Sequence, residues 1–133
     1  MGSTMRVAVT RKKYCYPDLV VACGEPVLAK YDTLLNPTII IEILSKNTEN
    51  FDLGRKADMY RSIPSLQEYV VIEQVRAGAK RYLRQLRQEW ILKEVSGVDS
   101  ILPLESIQIE IPLSEIYHRI ELDPEPEQIQ FEA

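Results

Sequence analysis

The stretch Asn36-Pro37-Thr38-Ile39-Ile40-Ile41-Glu42-Ile43-Leu44 is the most strand-like part of this sequence and decides the fold class. Its β-branched and apolar side chains would lie on both faces of a strand, which is typical of a central strand buried between two layers. Glu42 interrupts the apolar run, and a buried carboxylate without a partner is costly. We therefore expect Glu42 to contact a cation, a metal ion or strong hydrogen-bond donors. The alternatives are a buried ion pair without function and an acid that faces solvent at the end of the strand.

The segments on either side of this strand predict a mixed β-sheet with few helices. Leu53, Ala57 and Tyr60 have helical spacing, which predicts one helix within residues 50–62. Strands are predicted where apolar residues alternate or run together between turn signals, at residues 6–10, 18–23, 38–44, 68–73, 80–86, 90–95 and 107–111. The order of these elements indicates an α/β or α+β core.

The composition excludes several classes of protein. The chain has 16 Lys and Arg against 20 Asp and Glu, a formal net charge of -4, so no global positive field would attract nucleic acid. Without an apolar run of about 18 residues or a secretory signal, we expect a soluble, cytoplasmic chain that does not enter membranes. We expect one domain over residues 1–133, in which the tail at 123–133, rich in Pro, Glu and Gln, is loose.

Cysteine and histidine supply little chemistry in this sequence. Cys15 and Cys23 lack the paired spacing of a zinc site and are too few for a disulfide framework, so we expect both to be reduced. His118 is the single histidine and falls in a predicted surface segment at 114–119. This counts against a catalytic set of the Ser/His/Asp or Cys/His type.

Two further charged residues stand where they can share a site with Glu42. Lys56 projects into the apolar stripe of the predicted helix, although it can also reach solvent or pair with Asp52. Asp18 opens the apolar segment at 18–23, where an acid can also be a simple turn residue. The three groups converge if the two strands are neighbours and the helix packs over them.

Such a convergence has a chemical use. Two carboxylates can hold a hard cation such as Mg²⁺ through oxygen and leave its other positions to water and phosphate oxygens. A lysine beside them orients or deprotonates the attacking water and offsets the developing charge. The pattern therefore favours phosphodiester hydrolysis.

Ordered motifs between about residues 14 and 122 carry a resemblance to a known family. They are Tyr16-Pro17-Asp18-Leu19-Val20-Val21, then Asn36-Pro37-Thr38-Ile39-Ile40-Ile41-Glu42-Ile43-Leu44-Ser45, then Tyr60-Arg61 with Ile63-Pro64-Ser65-Leu66-Gln67-Glu68-Tyr69. These pieces resemble the PD-(D/E)XK nuclease superfamily, and more closely its restriction-endonuclease branch called the Uma-two family.

The resemblance implies a restriction-endonuclease-like core, a mixed sheet flanked by helices, that cleaves DNA phosphodiesters with Mg²⁺ or Mn²⁺. Asp18 and Glu42 match the metal-binding acids of the family. The superfamily lysine belongs two residues after the second acid, where this sequence has Leu44. The resemblance implies either that the role has moved to Lys56, which matches the lysine of the following helix in this branch, or that catalysis is impaired. Lys46 is a weaker substitute.

A second departure concerns the front of the fold. Family members usually carry a longer N-terminal part, including a helix that contributes a further acid, whereas this sequence reaches its first motif by Tyr14. We expect that part of the fold to be absent. An exposed sheet edge or apolar face would then remain, which favours a homo-oligomer.

Three hypotheses of function follow from these observations. The first is a Mg²⁺- or Mn²⁺-dependent DNA endonuclease, in which the two acids and the Ile43 carbonyl hold the metal and Lys56 lies beside the attacking water. In it, Arg81 and Arg84 of the predicted hairpin contact DNA phosphates, although a solvated face explains these residues equally well. The second is a catalytically inactive nuclease-like module for binding or assembly, favoured by the negative charge and the short start. The third is a structural domain with an incidental ion pair.

Overall fold

The computed structural model describes residues 6–9, 13–30, 33–44, 49–86 and 89–119, with the side chains of 49–53 and 119 excepted. The strands in these ranges are β1 (Arg6–Ala8), β2 (Tyr14–Cys15), β3 (Leu19–Val21), β4 (Leu28–Ala29), β5 (Thr33–Leu34), β6 (Ile39–Leu44), β7 (Glu68–Glu73), β8 (Gly78–Arg84), β9 (Trp90–Ser96), β10 (Ile101–Leu104) and β11 (Ile109–Pro112). The α-helices are α1 (Glu49–Arg61) and α2 (Leu113–Arg119), and a 3₁₀ turn at Glu105–Ile107 joins β10 to β11. No helix in the described ranges is long and apolar enough to cross a membrane.

The central element is a five-stranded sheet in the order β3-β6-β7-β8-β9. Strands β6 and β7 run parallel, and the other neighbours pair antiparallel. A parallel pair needs a crossover connection, and α1 lies in the connection between β6 and β7. Strand β7 is buried along its whole length, and β6 is buried except at Ile43, as their continuous apolar sequences predict. A smaller sheet in the order β2-β1-β5-β4 lies on the α1 side.

The central sheet separates two hydrophobic cores, because successive side chains of each strand point to opposite faces. The first core lies beneath α1 and the smaller sheet and contains Val7, Leu34, Ile40, Leu44, Ala57, Tyr60, Ile63, Leu66, Tyr69 and Val71. The second core lies beneath the β10–β11 hairpin and α2 and contains Ile39, Ile41, Val70, Ile72, Ala79, Leu102, Leu104, Leu113 and Tyr117.

A single arginine fixes the end of α1 to the central sheet. The guanidinium of Arg84, on β8, donates to three carbonyl oxygens at and beyond the end of the helix at distances between 2.6 and 3.3 Å, those of Leu66, Ile63 and Arg61. It also stacks over the ring of Trp90, 4.5 Å from the centroid. Carbonyl oxygens at a helix end have no partner within the helix, so these bonds both satisfy them and hold α1 over the sheet.

The predicted fold class, a mixed sheet with few helices, is confirmed. The sequence pattern does not predict the smaller sheet, β10 or α2. The predicted surface segment at 114–119 belongs to α2, in which Ser114, Glu115 and His118 are exposed, while Leu113 and Tyr117, four residues apart, reach the second core. Residues 45–48 and the predicted loose tail at 123–133 lie outside the described residues.

Candidate active site

The carboxylate of Glu42 lies on the α1 side of β6, where only 3% of the residue is exposed. The Tyr60 hydroxyl donates to Glu42 Oε1 at 2.9 Å, and the Tyr69 hydroxyl donates to Oε2 at 3.0 Å. Lys56 Nζ lies 3.5 Å from Oε2. Glu42 therefore meets a cation and two hydroxyl donors, which is the compensation that a buried carboxylate needs.

Sheet register and helix spacing bring these groups together. Glu42 pairs with Val71 in the parallel β6–β7 ladder, so its side chain shares a face with Tyr69, two residues before Val71. Lys56 and Tyr60 are four residues apart and lie on the same side of α1, which packs across that face. The rings of Tyr60 and Tyr69 are 5.0 Å apart and tilted by 48°. The contact between Lys56 and Glu42 is the one that the helical pattern predicts.

The two tyrosines are site residues that the sequence reasoning does not single out. Burial raises the pKa of Tyr60 far above its ordinary value, and the negative charge of Glu42 raises it further. The hydroxyl therefore stays protonated and remains a donor to the carboxylate. A tyrosine at helical or strand spacing looks like a core residue, but one signal is available, since Tyr60 stands one helical turn after Lys56.

Asp18 directly precedes β3, the antiparallel neighbour of β6. Its Oδ2 accepts a hydrogen bond from the backbone N–H of Ile43 at 2.8 Å. The register that pairs Leu19 with Ile41 places Asp18 opposite Glu42, one step beyond the last paired residues. Asp18 is exposed, unlike Glu42. Strand pairing therefore brings Asp18 to the peptide group that joins Glu42 to Ile43.

A thiol lies close to this cluster. Cys15, on β2, donates from Sγ to the sulfur of Met59 at 3.2 Å. Desolvation by burial raises the pKa of the Cys15 thiol, and the charge of Glu42 also raises it. A protonated and partly buried thiol is a weak nucleophile and a weak metal ligand, so Cys15 contributes packing between α1 and the smaller sheet.

The acids suit a water-rich divalent metal site. Asp18 and Glu42 offer carboxylate oxygens from neighbouring strands, and Mg²⁺ is commonly held by one or two carboxylates with water in its other positions. Both oxygens of Glu42 already accept from protein donors, so a metal would share a lone pair or displace the Lys56 ammonium from Oε2. Within the part of the chain that the structure describes, no group of three or more His, Cys, Asp and Glu side chains is placed to hold a metal ion.

The two arginines expected to contact DNA have structural partners instead. Arg81 is only 4% exposed, and its Nη1 lies 3.4 Å from Glu105 Oε2 and 4.0 Å from Glu68 Oε2. Arg84 donates hydrogen bonds to the carbonyl oxygens after α1 and stacks over the ring of Trp90. Both guanidinium groups therefore have partners within the protein, and a contact of either one with DNA stays a prediction.

The position at which the resemblance predicts a lysine holds a core residue. Leu44 is buried and packs in the first core. The cation that contacts Glu42 is the ammonium group of Lys56, which lies on α1. The weaker substitute, Lys46, lies outside the described residues.

The mixed sheet with its flanking helices has a restriction-endonuclease-like fold. A crystal structure described as a "putative nuclease belonging to DUF820" from Anabaena variabilis ATCC 29413 matches with a TM-score of 0.65, over 86% of this chain and 65% of that chain. The two sequences are 14% identical, so this likeness shows the fold alone.

Sequence comparison identifies the family to which the chain belongs. The model of the Uma2 family, described as "Putative restriction endonuclease", matches residues 1–114, and the chain therefore belongs to this family. Two proteins of Synechocystis sp. (strain ATCC 27184 / PCC 6803 / Kazusa) are also similar. Uncharacterized protein sll1609 is 32% identical over 110 residues, 80% of this chain and 62% of that protein. Uncharacterized protein slr1290 is 27% identical over 109 residues, 82% of this chain and 57% of that protein. The chain spans about three fifths of the length of these relatives.

Proposed function

We propose that the chain is a divalent-metal-dependent DNA endonuclease that hydrolyses phosphodiester bonds. The observation that carries the proposal is the contact of Lys56 with Glu42 at 3.5 Å, beside an exposed acid, Asp18, that is bound to the adjoining peptide group. Membership of a family described as "Putative restriction endonuclease" supports the same activity.

The metal of this proposal is Mg²⁺ or Mn²⁺. Asp18 and Glu42 would hold it, and the carbonyl oxygen of Ile43 is a candidate further ligand because Asp18 is bound to the N–H of the same residue. When bound, the ion supplies positive charge that polarises the phosphate and activates water.

The other proposed roles in the reaction belong to Lys56, Tyr60 and Tyr69. The Lys56 side chain is 38% exposed, so its ammonium can meet both Glu42 and a phosphate from solvent. It orients the attacking water and offsets the negative charge that grows on the phosphate. Tyr60 and Tyr69 are positioning residues, because they hold both oxygens of Glu42 and so fix the direction of its remaining lone pairs.

Contacts with the DNA backbone are proposed for Lys13 and Arg55. Both are exposed, and they line a cleft of about 410 Å³ between α1 and the residues after β1, together with Val9, Asp58, Met59 and Ser62. Arg55 directly precedes Lys56 on α1, so the cleft borders the helix that carries the candidate lysine. The formal net charge of -4 requires any such attraction to be local.

This backbone contact has a direct test by fluorescence anisotropy with labelled duplex DNA over a series of salt concentrations. Lys13→Gln and Arg55→Gln should each weaken binding by a similar factor for different DNA sequences and lower the slope of log affinity against log salt by about 1. Unchanged affinity and slope for both variants would rule out the cleft as a phosphate contact.

The endonuclease activity is tested by nicking of supercoiled plasmid in MnCl₂ and in EDTA. Wild type should nick only with the metal, and Glu42→Gln and Lys56→Met should each lower the rate by about 100-fold or more. Lys80→Met is a matched control, because the ammonium that it removes pairs with Glu94 at 3.9 Å and not with Glu42. Equal rates for wild type and Glu42→Gln would contradict the proposed role of the carboxylate.

A second function, a nuclease-like binding or assembly module without catalysis, is favoured by two observations. Leu44 fills the position of the superfamily lysine with a core side chain. The carboxylate of Glu42 is also already satisfied by three protein donors. Folded wild-type protein that binds Mn²⁺ or DNA and never nicks plasmid would favour this module over the enzyme.

A further inference from the structure

Strand β9 forms one edge of the central sheet and carries exposed apolar side chains. Ile91 and Leu92 are 43% and 49% exposed, and Leu86, which precedes the strand, is 84% exposed. Across the residues that the structure describes, no strand pairs with the outer side of β9. The strand is seven residues long and contains neither Pro nor Gly. An edge of this kind is a template for pairing with another chain.

Hydrogen bonds to the neighbouring strand define which backbone groups of β9 face outward. Just beyond the two ends of the β8–β9 ladder, Gln85 N–H donates to the Glu89 carbonyl at 2.6 Å, and Gly97 N–H donates to the Ala77 carbonyl at 3.0 Å. Since hydrogen-bonded pairs alternate along an antiparallel ladder, the odd-numbered residues of β9 bond to β8. The backbone groups of the even-numbered residues, from Trp90 to Ser96, therefore point away from the sheet.

We propose that β9 pairs antiparallel with β9 of a second copy of this chain, about a twofold axis at Ile91. A twofold axis perpendicular to the sheet keeps every side chain on its own face, so only residues on the same face can stand opposite each other. In this register Ile91 faces the partner's Ile91, Trp90 faces the partner's Leu92, and Glu89 faces the partner's Lys93.

Charge complementarity selects this register over its neighbours. An axis at Leu92 would set Ile91 against the partner's Lys93, and an axis at Trp90 would set Ile91 against the partner's Glu89. An axis at Lys93 would oppose two ammonium groups. With the axis at Ile91, three apolar positions occupy the centre, and symmetry places a Glu89–Lys93 pair at each end. The outward-facing backbone groups belong to Trp90 and Leu92, not to Ile91. Ile91 and the partner's Ile91 therefore form a non-hydrogen-bonded pair, the kind in which side chains approach most closely.

The proposed contact leaves the candidate active site open. Strand β9 lies at one edge of the central sheet and β3, which Asp18 precedes, lies at the other. Pairing would extend each sheet into that of the second copy without covering either acid. The proposed β9–β9 dimer can therefore be tested independently of the nuclease activity.

The test is the mass of the full chain by sedimentation equilibrium over a micromolar range of concentration. Wild type should be a dimer, and Ile91→Lys, which sets two ammonium groups against each other at the axis, should be a monomer. Leu28→Lys is the matched control, because Leu28 is an exposed apolar residue of the smaller sheet and its replacement should leave the dimer intact. Circular dichroism verifies that each variant is folded.

Charge reversal tests the register itself. Glu89→Lys and Lys93→Glu should each raise the dimer Kd by roughly tenfold, because every replacement acts at two symmetry-related pairs. The double variant should return the Kd close to the wild-type value. A monomeric wild type, a dimeric Ile91→Lys variant, or a double variant that dimerises no better than the single ones would overturn the proposal. A monomeric wild type would show that the β9 edge does not pair with a second copy and would favour a strand of a different protein as its partner.

Discussion

Replacing Lys56 with Met measures how strongly the ammonium stabilises the buried carboxylate of Glu42. At a separation of 3.5 Å, the Coulomb attraction is about 1 kcal/mol in the dielectric of water and about 5 kcal/mol at an effective dielectric of about 20. The lysine side chain is 38% exposed, so solvent screens the pair toward the lower value. The hydrogen bonds from Tyr60 and Tyr69 remain in the variant. We therefore expect the free energy of unfolding to fall by about 1–2 kcal/mol.

Equilibrium unfolding in guanidinium chloride, followed by the fluorescence of the single tryptophan, Trp90, measures this change. Lys80→Met is the control and should cost less than about 0.5 kcal/mol, because its partner Glu94 is largely exposed. A double-mutant cycle of Lys56→Met with Glu42→Gln should return a coupling of about 1–2 kcal/mol. A Lys56→Met variant as stable as wild type or more so, together with a coupling near zero, would refute the reasoning.

Buried tyrosines, one arginine and the two cysteines give three further expectations. Above about pH 10 the free energy of unfolding should fall, because burial raises the pKa of Tyr60 and of Tyr117 in the native state while the unfolded chain loses these protons near the ordinary value. Urea unfolding in which Tyr60→Phe shows the same pH slope as wild type would contradict this. Arg84→Met should lower the free energy of unfolding by about 1–3 kcal/mol, since it removes the donor to the carbonyl oxygens of Leu66 and Arg61, and a calorimetric scan indistinguishable from wild type would count against that role. Iodoacetamide should alkylate Cys23, which is exposed, before Cys15, whose pKa is raised, and mass spectrometry showing the reverse order would be inconsistent with the burial of Cys15.

The central strand, the helix and the main acid–lysine contact are predictable from local patterns. The run at β6 is apolar on both faces, and its single interruption at Glu42 signals a compensated charge. Lys56 stands inside the apolar stripe of α1, which signals that it faces the sheet. Glu42 in β6 and Lys56 in α1 are thus both identified from local sequence patterns. The two residues can meet because α1 lies in the connection between β6 and β7.

The features that sequence patterns do not predict depend on register and on distant packing. Register pairs Arg81 with Val70, so Arg81 shares the face of the second core with Glu68, and its charge is buried. Alternation along β8 assigns two faces but does not say which of them is covered by the β10–β11 hairpin. Helix α2 is only seven residues long, too short to be stable alone, and it depends on Leu113 and Tyr117 reaching that same core.

We propose that Asp18 and Glu42 share one divalent ion, and a crystal soaked in MnCl₂ tests this proposal most directly. Anomalous scattering should place one manganese ion within roughly 2.0–2.4 Å of an oxygen from each carboxylate. Asp18→Asn and Glu42→Gln should each abolish that peak. A peak elsewhere on the chain, a peak in contact with only one of the two acids, or no peak at saturating manganese would contradict the account.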